Sequence, residues 1–478
     1  MGGSQQTIRV ATRPFGLRDK LGYMFGDAGN CFSFMLISSF FMIFCTNVLG
    51  LTGAQVGLAF LIARFVDAIA DVSVGRFVDN SKLHKKGRFA PWMDRMKYPL
   101  LVSIILLFMP YVRALNITFR LCYVYVLYIL WGILYSSVNI PYGSMASVIS
   151  DNPDDKTSLS TFRSVGSSLA NMVVSYLLPM LIYVGASRQV SGSRFLLCAV
   201  ICALCAYCCY TLTTTLTTER IRTNKTSKVP LGRLLKGFLK DPALVILVFI
   251  DMSLVVNLMM SGTTSTYLFS VYFHSKVALS INMMLGTGVT FILAPFSRYL
   301  TKTFGRKECS AAGLALSVIV YLVLFLIHTR SILVFIILNF IGTVGMGIFN
   351  LMVWAFITDV TDNHEIITGT REDGVVYGVN SFARKVAQAI AGGAGGFMLS
   401  IIGYKSSTVG AIVQNASVAN RLYDMAVIVP LVCSLIACIL LVIYPLNKQK
   451  VTENAKKLAE IHENNMIKTN EGGDRNER

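Results

Sequence analysis

ARFVDAIADVSVGRFVD, residues 63–79, places Arg64, Asp67 and Asp71 inside a run that otherwise has the composition of a membrane-crossing helix. Residues three and four apart share a helix face, so these three side chains stack along one side. Two carboxylates in low dielectric repel each other and lose hydration. They persist there only where a cation, a proton or a basic partner relieves them. The stretch reads as part of a machine driven by cation binding.

The surrounding chain fits a membrane setting. Its 478 residues are 54% hydrophobic and 14% charged, with a mean hydropathy of +0.60. That leaves too little polar surface for a soluble multidomain protein. Twelve apolar runs, each close to the roughly 20 residues that cross a bilayer, fall near 22–50, 54–77, 98–114, 119–148, 164–185, 194–217, 242–270, 279–300, 310–328, 331–358, 375–403 and 422–446. We therefore expect an all-α membrane protein of twelve transmembrane helices in two six-helix, pseudo-symmetric halves.

The net charge of +18 would also suit a nucleic-acid binder. The bases, however, sit in short segments between apolar runs, which is the pattern of cytoplasmic loops, and no nucleic-acid partner is expected. The segment after the second run holds Arg76, Lys82, Lys85, Lys86, Arg88, Arg95 and Lys97, against Arg113 and Arg120 after the third. This asymmetry puts both termini in the cytoplasm and the chain in the cell membrane. The expected divisions are a cytoplasmic segment 1–21, a six-helix bundle 22–217, a basic linker 218–241, a second bundle 242–446 and a polar tail 447–478. Residues 1–20 lack the apolar core of a cleavable signal peptide.

GRFVDNSKLHKKGRF from Gly75 and SRYLTKTFGRK from Ser297 put Gly87-Arg88 and Gly305-Arg306 at equivalent points of the two halves. Such loops resemble the signature of the major facilitator superfamily. The resemblance implies two halves around a central cavity, with Asp79 meeting a helix end and arginines bridging neighbouring helices. LGYMFGDAGN at Leu21, the stretch at Ala63, KKGRFAPW at Lys85, SSVNIPYGSM at Ser136, TDVTDNHEIITGTREDG at Thr358 and SFARKVAQAIAGG at Ser381 are more specific. In that order and spacing they resemble the glycoside-pentoside-hexuronide:cation symporter family across nearly the whole chain. The VNIPYG and FGDAGN versions look nearer to its glucuronide and pentoside permeases than to its melibiose permease.

The resemblance places Asp67 and Asp71 on the family's cation-site carboxylates and Ser136 on a hydroxyl beside them. Ala70 replaces a polar residue associated with Na⁺, which tilts the expected coupling ion toward H⁺ and leaves Na⁺ open. Asn30 and Cys31 stand where the melibiose permease has a base and a sugar-binding acid, and Asn139 stands where it has an aspartate. An amide donates as well as accepts and does not repel an anion, so a uronide, a pentoside or another glycoside is expected in place of melibiose.

Pro141 kinks its helix and frees carbonyls toward a cavity beside Tyr135, Asn139 and Tyr142, with Tyr142 equally readable as a packing aromatic. Tyr23, Phe34, Tyr135, Tyr142 and Trp354 are available to stack on sugar. Arg163 matches a family arginine at the start of the fifth run. It reads as a fork for substrate hydroxyls, a uronate or the Asp67 and Asp71 carboxylates, or as a cytoplasmic anchor. Lys385 matches a lysine near the cavity and is assigned to binding.

Asp27, between Gly26 and Gly29, reads either as a structural or gating salt bridge or as a substrate contact. Asp79, Arg88, Asp359, Asp362, Glu365 and Arg371 are read as a cytoplasmic gate. Asp251 has no evident role.

Cys198, Cys202, Cys205, Cys208 and Cys209 lie at helical spacing, yet no matching ligands accompany them, so they are read as small packing residues and no metal is expected beyond Na⁺ at Asp67 and Asp71. Gly392-Gly393-Ala394-Gly395-Gly396 lacks the lysine of a phosphate loop and reads as a close helix contact. With no ATPase motif, nucleophile and base pair or cofactor signature, the chain reads as a monomeric, non-enzymatic importer of a sugar or glycoside with H⁺ or Na⁺. The alternatives are a lysolipid symporter on the same scaffold and a transport-dead sugar sensor.

Overall fold

The computed structural model describes residues 8–9, 13–79, 81, 84, 87–150, 152–184, 189–222, 241–368, 373–407, 414–454 and 456–457. They form twelve long helices: α1 (Leu17–Asn47), α2 (Gly53–Asp79), α3 (Phe89–Leu107), α4 (Ile117–Ile149), α5 (Pro153–Ile182) and α6 (Gly192–Leu216), then α7 (Pro242–Val271), α8 (Lys276–Thr303), α9 (Arg306–Ile327), α10 (Ile332–Thr368), α11 (Asp373–Ile401) and α12 (Ala416–Ile443). A short 3₁₀ helix at Pro110–Ala114 and two pairs of two-residue strands, Ile8–Arg9 with Ile221–Arg222 and Tyr183–Val184 with Gln189–Val190, accompany them.

Ten helices are long and apolar enough by themselves to cross a bilayer. The other two, α3 and α11, carry Asp94, Arg95 and Lys97, and Arg384 and Lys385. Lys97, Arg384 and Lys385 each pair with an acid, which lets these charges sit in the bundle. Lys97, 2% exposed, donates to Asp94 at 2.6 Å and to Thr211 at 3.0 Å.

Three boundaries differ from the sequence expectation. Helix α3 begins at Phe89, not near 98, because Asp94 and Lys97 satisfy each other within it. Helix α5 begins at Pro153, not near 164. Proline suits the first helical position, where its missing N–H bonds nothing. Arg163 is therefore almost three turns into α5 and not at its start. Helix α10 runs to Thr368, so Asp359, Asp362 and Glu365 occupy its last turns and not the following loop.

The near side, where α1 begins and α12 ends, is tied within each half. Asp19 accepts from Arg13 and Arg220, both at 2.8 Å. Glu219 accepts from the backbone N–H groups of Arg88 at 2.8 Å and Ala90 at 2.7 Å, and so supplies acceptors to the first turn of α3. Burial pushes its carboxyl above the usual range against those bonds. Gly87, at φ +109°, and Gly305, at φ +101°, precede α3 and α9, both with positive φ. The internal repeat thus has a backbone counterpart that favours glycine.

The halves meet on the far side. Glycines let α2 and α11 touch backbone to backbone: a Cβ on Gly57 would lie 2.8 Å from the Gly393 carbonyl oxygen, and one on Gly53 2.8 Å from the Leu399 Cβ. Around this seam, Ala54 N–H donates to Ser400 Oγ and the Tyr404 hydroxyl donates to Asn47 Oδ1, both at 2.8 Å. Thr46 and Tyr267 share a 2.8 Å hydroxyl contact, and Tyr183 donates to the Thr266 carbonyl at 3.2 Å.

Candidate functional site

The charged face of α2 lies between α4 and α11. Arg64 Nη1 donates to Asp67 Oδ2 at 3.3 Å and its guanidinium sits 5.8 Å over the Phe34 ring. The other carboxylate oxygen of Asp67 lies against Gly132 of α4, where a Cβ would overlap it. One turn along α2, Asp71 Oδ2 forms an ion pair with Lys385 Nζ of α11, in the opposite half. Measured along α2, this bridge is about 21 Å closer to the near side than Gly57.

Asp67 Oδ1 and Asp71 Oδ1 are buried and accept no hydrogen bond. Two adjacent acids thus each keep one unpartnered oxygen, which is the donor set a proton or a small hard cation takes. Ser136, 8% exposed, is one turn from Gly132 on the same face of α4 and so at the level of Asp71.

A second group of side chains is assembled from α1, α4, α5 and α6. Gly26 and Gly29 remove the Cβ atoms that would collide with the Tyr142 and Tyr210 rings, so both aromatics lie flat on α1. Tyr142 stacks on Tyr23 at 4.6 Å between centroids and donates to its carbonyl at 2.8 Å. Arg163 Nε donates to Asp27 Oδ1 at 3.1 Å, with the guanidinium 5.3 Å over Tyr142. Tyr210 donates to Asn30 Oδ1 at 2.9 Å, and Asn30 Nδ2 donates to Asn139 Oδ1 at 3.1 Å. Tyr135 closes this group against Phe34 at 5.5 Å and Trp131 at 5.6 Å. Asn139 is three residues past Ser136 on α4, about 4.5 Å further along the helix axis.

The structure thus brings Asp67, Asp71, Ser136 and Lys385 to one level, and Asp27, Asn30, Tyr135, Asn139, Tyr142 and Arg163 to the next. Asp27 pairs with Arg163 of α5, inside its own half. Arg163 itself takes Asp27 and not the α2 acids. Asp359 pairs with Arg306 of its own half. Arg88 places its backbone N–H on Glu219. The side chains of Asp79 and Trp354, and all of Arg371, lie outside the described residues.

Asp251, silent in the sequence, is fully buried. It accepts from Arg384 at 2.9 and 3.1 Å and from Asn380 at 3.0 Å. Gly132 and Tyr210 also escaped the sequence reading. Gly132 follows Trp131 in an ordinary apolar run, and Tyr210 sits among cysteines that drew attention to metal chemistry.

Two six-helix halves joined at one side, with charged groups bridging them in the middle, define a membrane transporter of the major facilitator type. The sequence comparisons name the family. A model described as MFS/sugar transport protein matches residues 22–448. The chain belongs to that family, a group of multi-pass membrane transporters.

An uncharacterized symporter, YjmB, of Bacillus subtilis (strain 168) is 30% identical over 423 residues, covering 85% of this chain and 88% of that protein. The glucuronide carrier protein homolog of Escherichia coli (strain K12) is 26% identical, covering 91% and 94%. Among solved structures, a bacterial homolog to the human lysosomal transporter Spinster, in an inward-facing and unoccupied conformation, superposes with a TM-score of 0.68. It is 12% identical, covers 93% of this chain and 99% of that one, and supports the fold.

Proposed function

We propose that this protein is a secondary transporter that imports a sugar or glycoside together with H⁺ or Na⁺ by alternating access. The ion pair between Lys385 and Asp71 carries the proposal. It joins the halves beside two acids that each keep an unpartnered oxygen. In this reading the coupling cation takes Asp67 and Asp71, with Ser136 beside them, and competes with Lys385 for Asp71. Its arrival loosens a bond that the halves must break to move past one another. A ligand shifts such an equilibrium only through different affinity for the two states, and this competition supplies the difference.

The sugar occupies the adjoining level. Arg163, oriented by Asp27, and Asn139, oriented by Asn30, offer hydrogen bonds there, while Tyr135 offers an aromatic face and Tyr142, buried under Arg163, backs it. The near side is cytoplasmic by its basic loops, so a far side closed by the glycine seam corresponds to an inward-facing form in the cell membrane. Residues 22–217 and 242–446 act as the two moving bodies of one monomer. The near-side acids Asp359, Asp362 and Glu365 belong to the parts that rearrange as it opens and closes.

Uptake of labelled glycosides into proteoliposomes under imposed H⁺ or Na⁺ gradients tests the proposal. Accumulation above equilibrium, with sugar-induced movement of the same ion, is expected. Uptake that never exceeds equilibrium under either gradient refutes cation coupling.

A further inference from the structure

We infer that Asn139 reads the sugar as a hydrogen-bond acceptor, in a polarity fixed from α6 by Tyr210, a positioning residue that acts through Asn30 without touching the sugar. This rests on the transport reading above and adds how one sugar hydroxyl is recognised. The Asn139 amide carries both an acceptor oxygen and a donor nitrogen. Its neighbours decide which of them faces the sugar.

The relay starts at an acid. Asp27 accepts from Arg163 Nε at 3.1 Å, and a carboxylate paired with a guanidinium has acceptors only. Asn30 lies within hydrogen-bonding reach of that carboxylate, so it turns its amide nitrogen toward Asp27. The Asn30 oxygen then points to α6, where the Tyr210 hydroxyl donates to it at 2.9 Å. Ser33 Oγ steadies the same hydroxyl at 3.2 Å. The ring reaches this place because α1 has glycine at 29, where a Cβ would lie 2.9 Å from Tyr210 Cε1.

The other hydrogen of the Asn30 nitrogen goes to Asn139 Oδ1 at 3.1 Å. An acid on one side of Asn30 and a donor on the other admit a single orientation of its amide. That orientation takes up the Asn139 oxygen and turns the Asn139 nitrogen away from α1.

Asn139 is half-buried, and among the described residues none accepts a hydrogen bond from its nitrogen. Tyr135, one turn earlier on the same face of α4, sets its ring beside Phe34 at this level. A sugar hydroxyl facing the open N–H groups is held by its lone pair, whereas a group that only donates meets no acceptor there. An aspartate at this position would impose the reverse, because a carboxylate demands the hydroxyl hydrogen. Tyr210 is fully buried. Without its hydroxyl the Asn30 oxygen has no donor, and the relay loses the bond that holds its direction.

The test uses the full-length protein in proteoliposomes and reads exchange of labelled sugar across the membrane. Methyl glucoside, methyl xyloside and methyl glucuronide serve as parent sugars. For each one exchanged, every ring hydroxyl is replaced in turn by fluorine, which accepts a hydrogen bond and donates none, or by hydrogen, which does neither. At one ring position the fluoro sugar is expected to compete about tenfold better than the deoxy sugar. Asn139→Asp is expected to abolish that margin at that position and to leave the other positions as they were. Tyr210→Phe is expected to shrink it to about twofold and to raise the KM for the parent sugar, with kcat near its original value.

Fluoro and deoxy sugars that compete equally at every position, or a margin that survives Asn139→Asp, overturn the acceptor reading and leave coupled transport standing. An unchanged margin in Tyr210→Phe overturns the positioning role of Tyr210. No exchange of any parent sugar overturns the transport reading and this inference with it.

Discussion

Gly132→Ala is the smallest change that reaches the cation site without touching a charge. The new Cβ would lie 2.9 Å from the Asp67 carboxyl carbon and 3.1 Å from Oδ2, and would overlap Oδ1. Carbon contacts become comfortable at about 3.5 Å, so the carboxylate must withdraw by roughly half an ångström to one ångström. Its bond to Arg64 is already long at 3.3 Å, near the limit of a useful hydrogen bond.

Displacing a group that supports an ion typically lowers ion affinity about 10- to 100-fold. We expect a loss in that range for half-saturation of uptake by the coupling cation. Alanine is about 1 kcal/mol better than glycine within a helix, so the loss would not reflect a weaker α4. Gly143→Ala, on the same helix with no atom within 4 Å of its Cβ, serves as the control and should match the parent protein. The assay is initial uptake against cation concentration in proteoliposomes, with thermal unfolding in detergent to confirm folding. A Gly132→Ala protein with unchanged half-saturation would refute the packing argument and the role of Asp67 together.

Other substitutions probe the frame around the site. Gly57→Leu places a side chain into the Gly393 and Gly396 backbone, so the far side should fail to close. Labelling of a cysteine at Ser39 in a cysteine-free background should rise at least tenfold, and an unchanged rate would count against the seam as a closure. Asp251→Asn leaves Arg384 without its buried carboxylate and should cost about 3 kcal/mol. The loss would appear as a lower unfolding temperature in detergent, with much of it restored by Asp251→Leu combined with Arg384→Leu. Equal stability of the single variant and the parent would remove the pair from the structural account.

The helix order and the place of Asp67 and Asp71 were legible because apolar length and intramembrane charge are local properties. What depended on distant partners was not. Asp251 and Arg384 are far apart in sequence, and neither run announces the other. Helix α3 hid its first turns because Asp94 and Lys97 look like loop residues until their partners are known. Arg163 was readable as a cavity donor, but the choice of Asp27 over the α2 acids needed the approach of α5 to α1. That approach follows from small residues such as Gly166, whose Cβ would meet the Met24 carbonyl at 2.5 Å. Gly392 to Gly396 was readable as a packing run because the phosphate-loop lysine was missing. Its partners Gly53 and Gly57 emerged only with the fold.

The claim at the centre is that Asp71 is shared between Lys385 and the coupling cation. It is tested most directly by gradient-driven sugar accumulation in an Asp71→Asn protein shown to be inserted and folded. The account predicts that accumulation falls to the equilibrium level while sugar exchange across the membrane continues. Accumulation equal to that of the parent protein would contradict it.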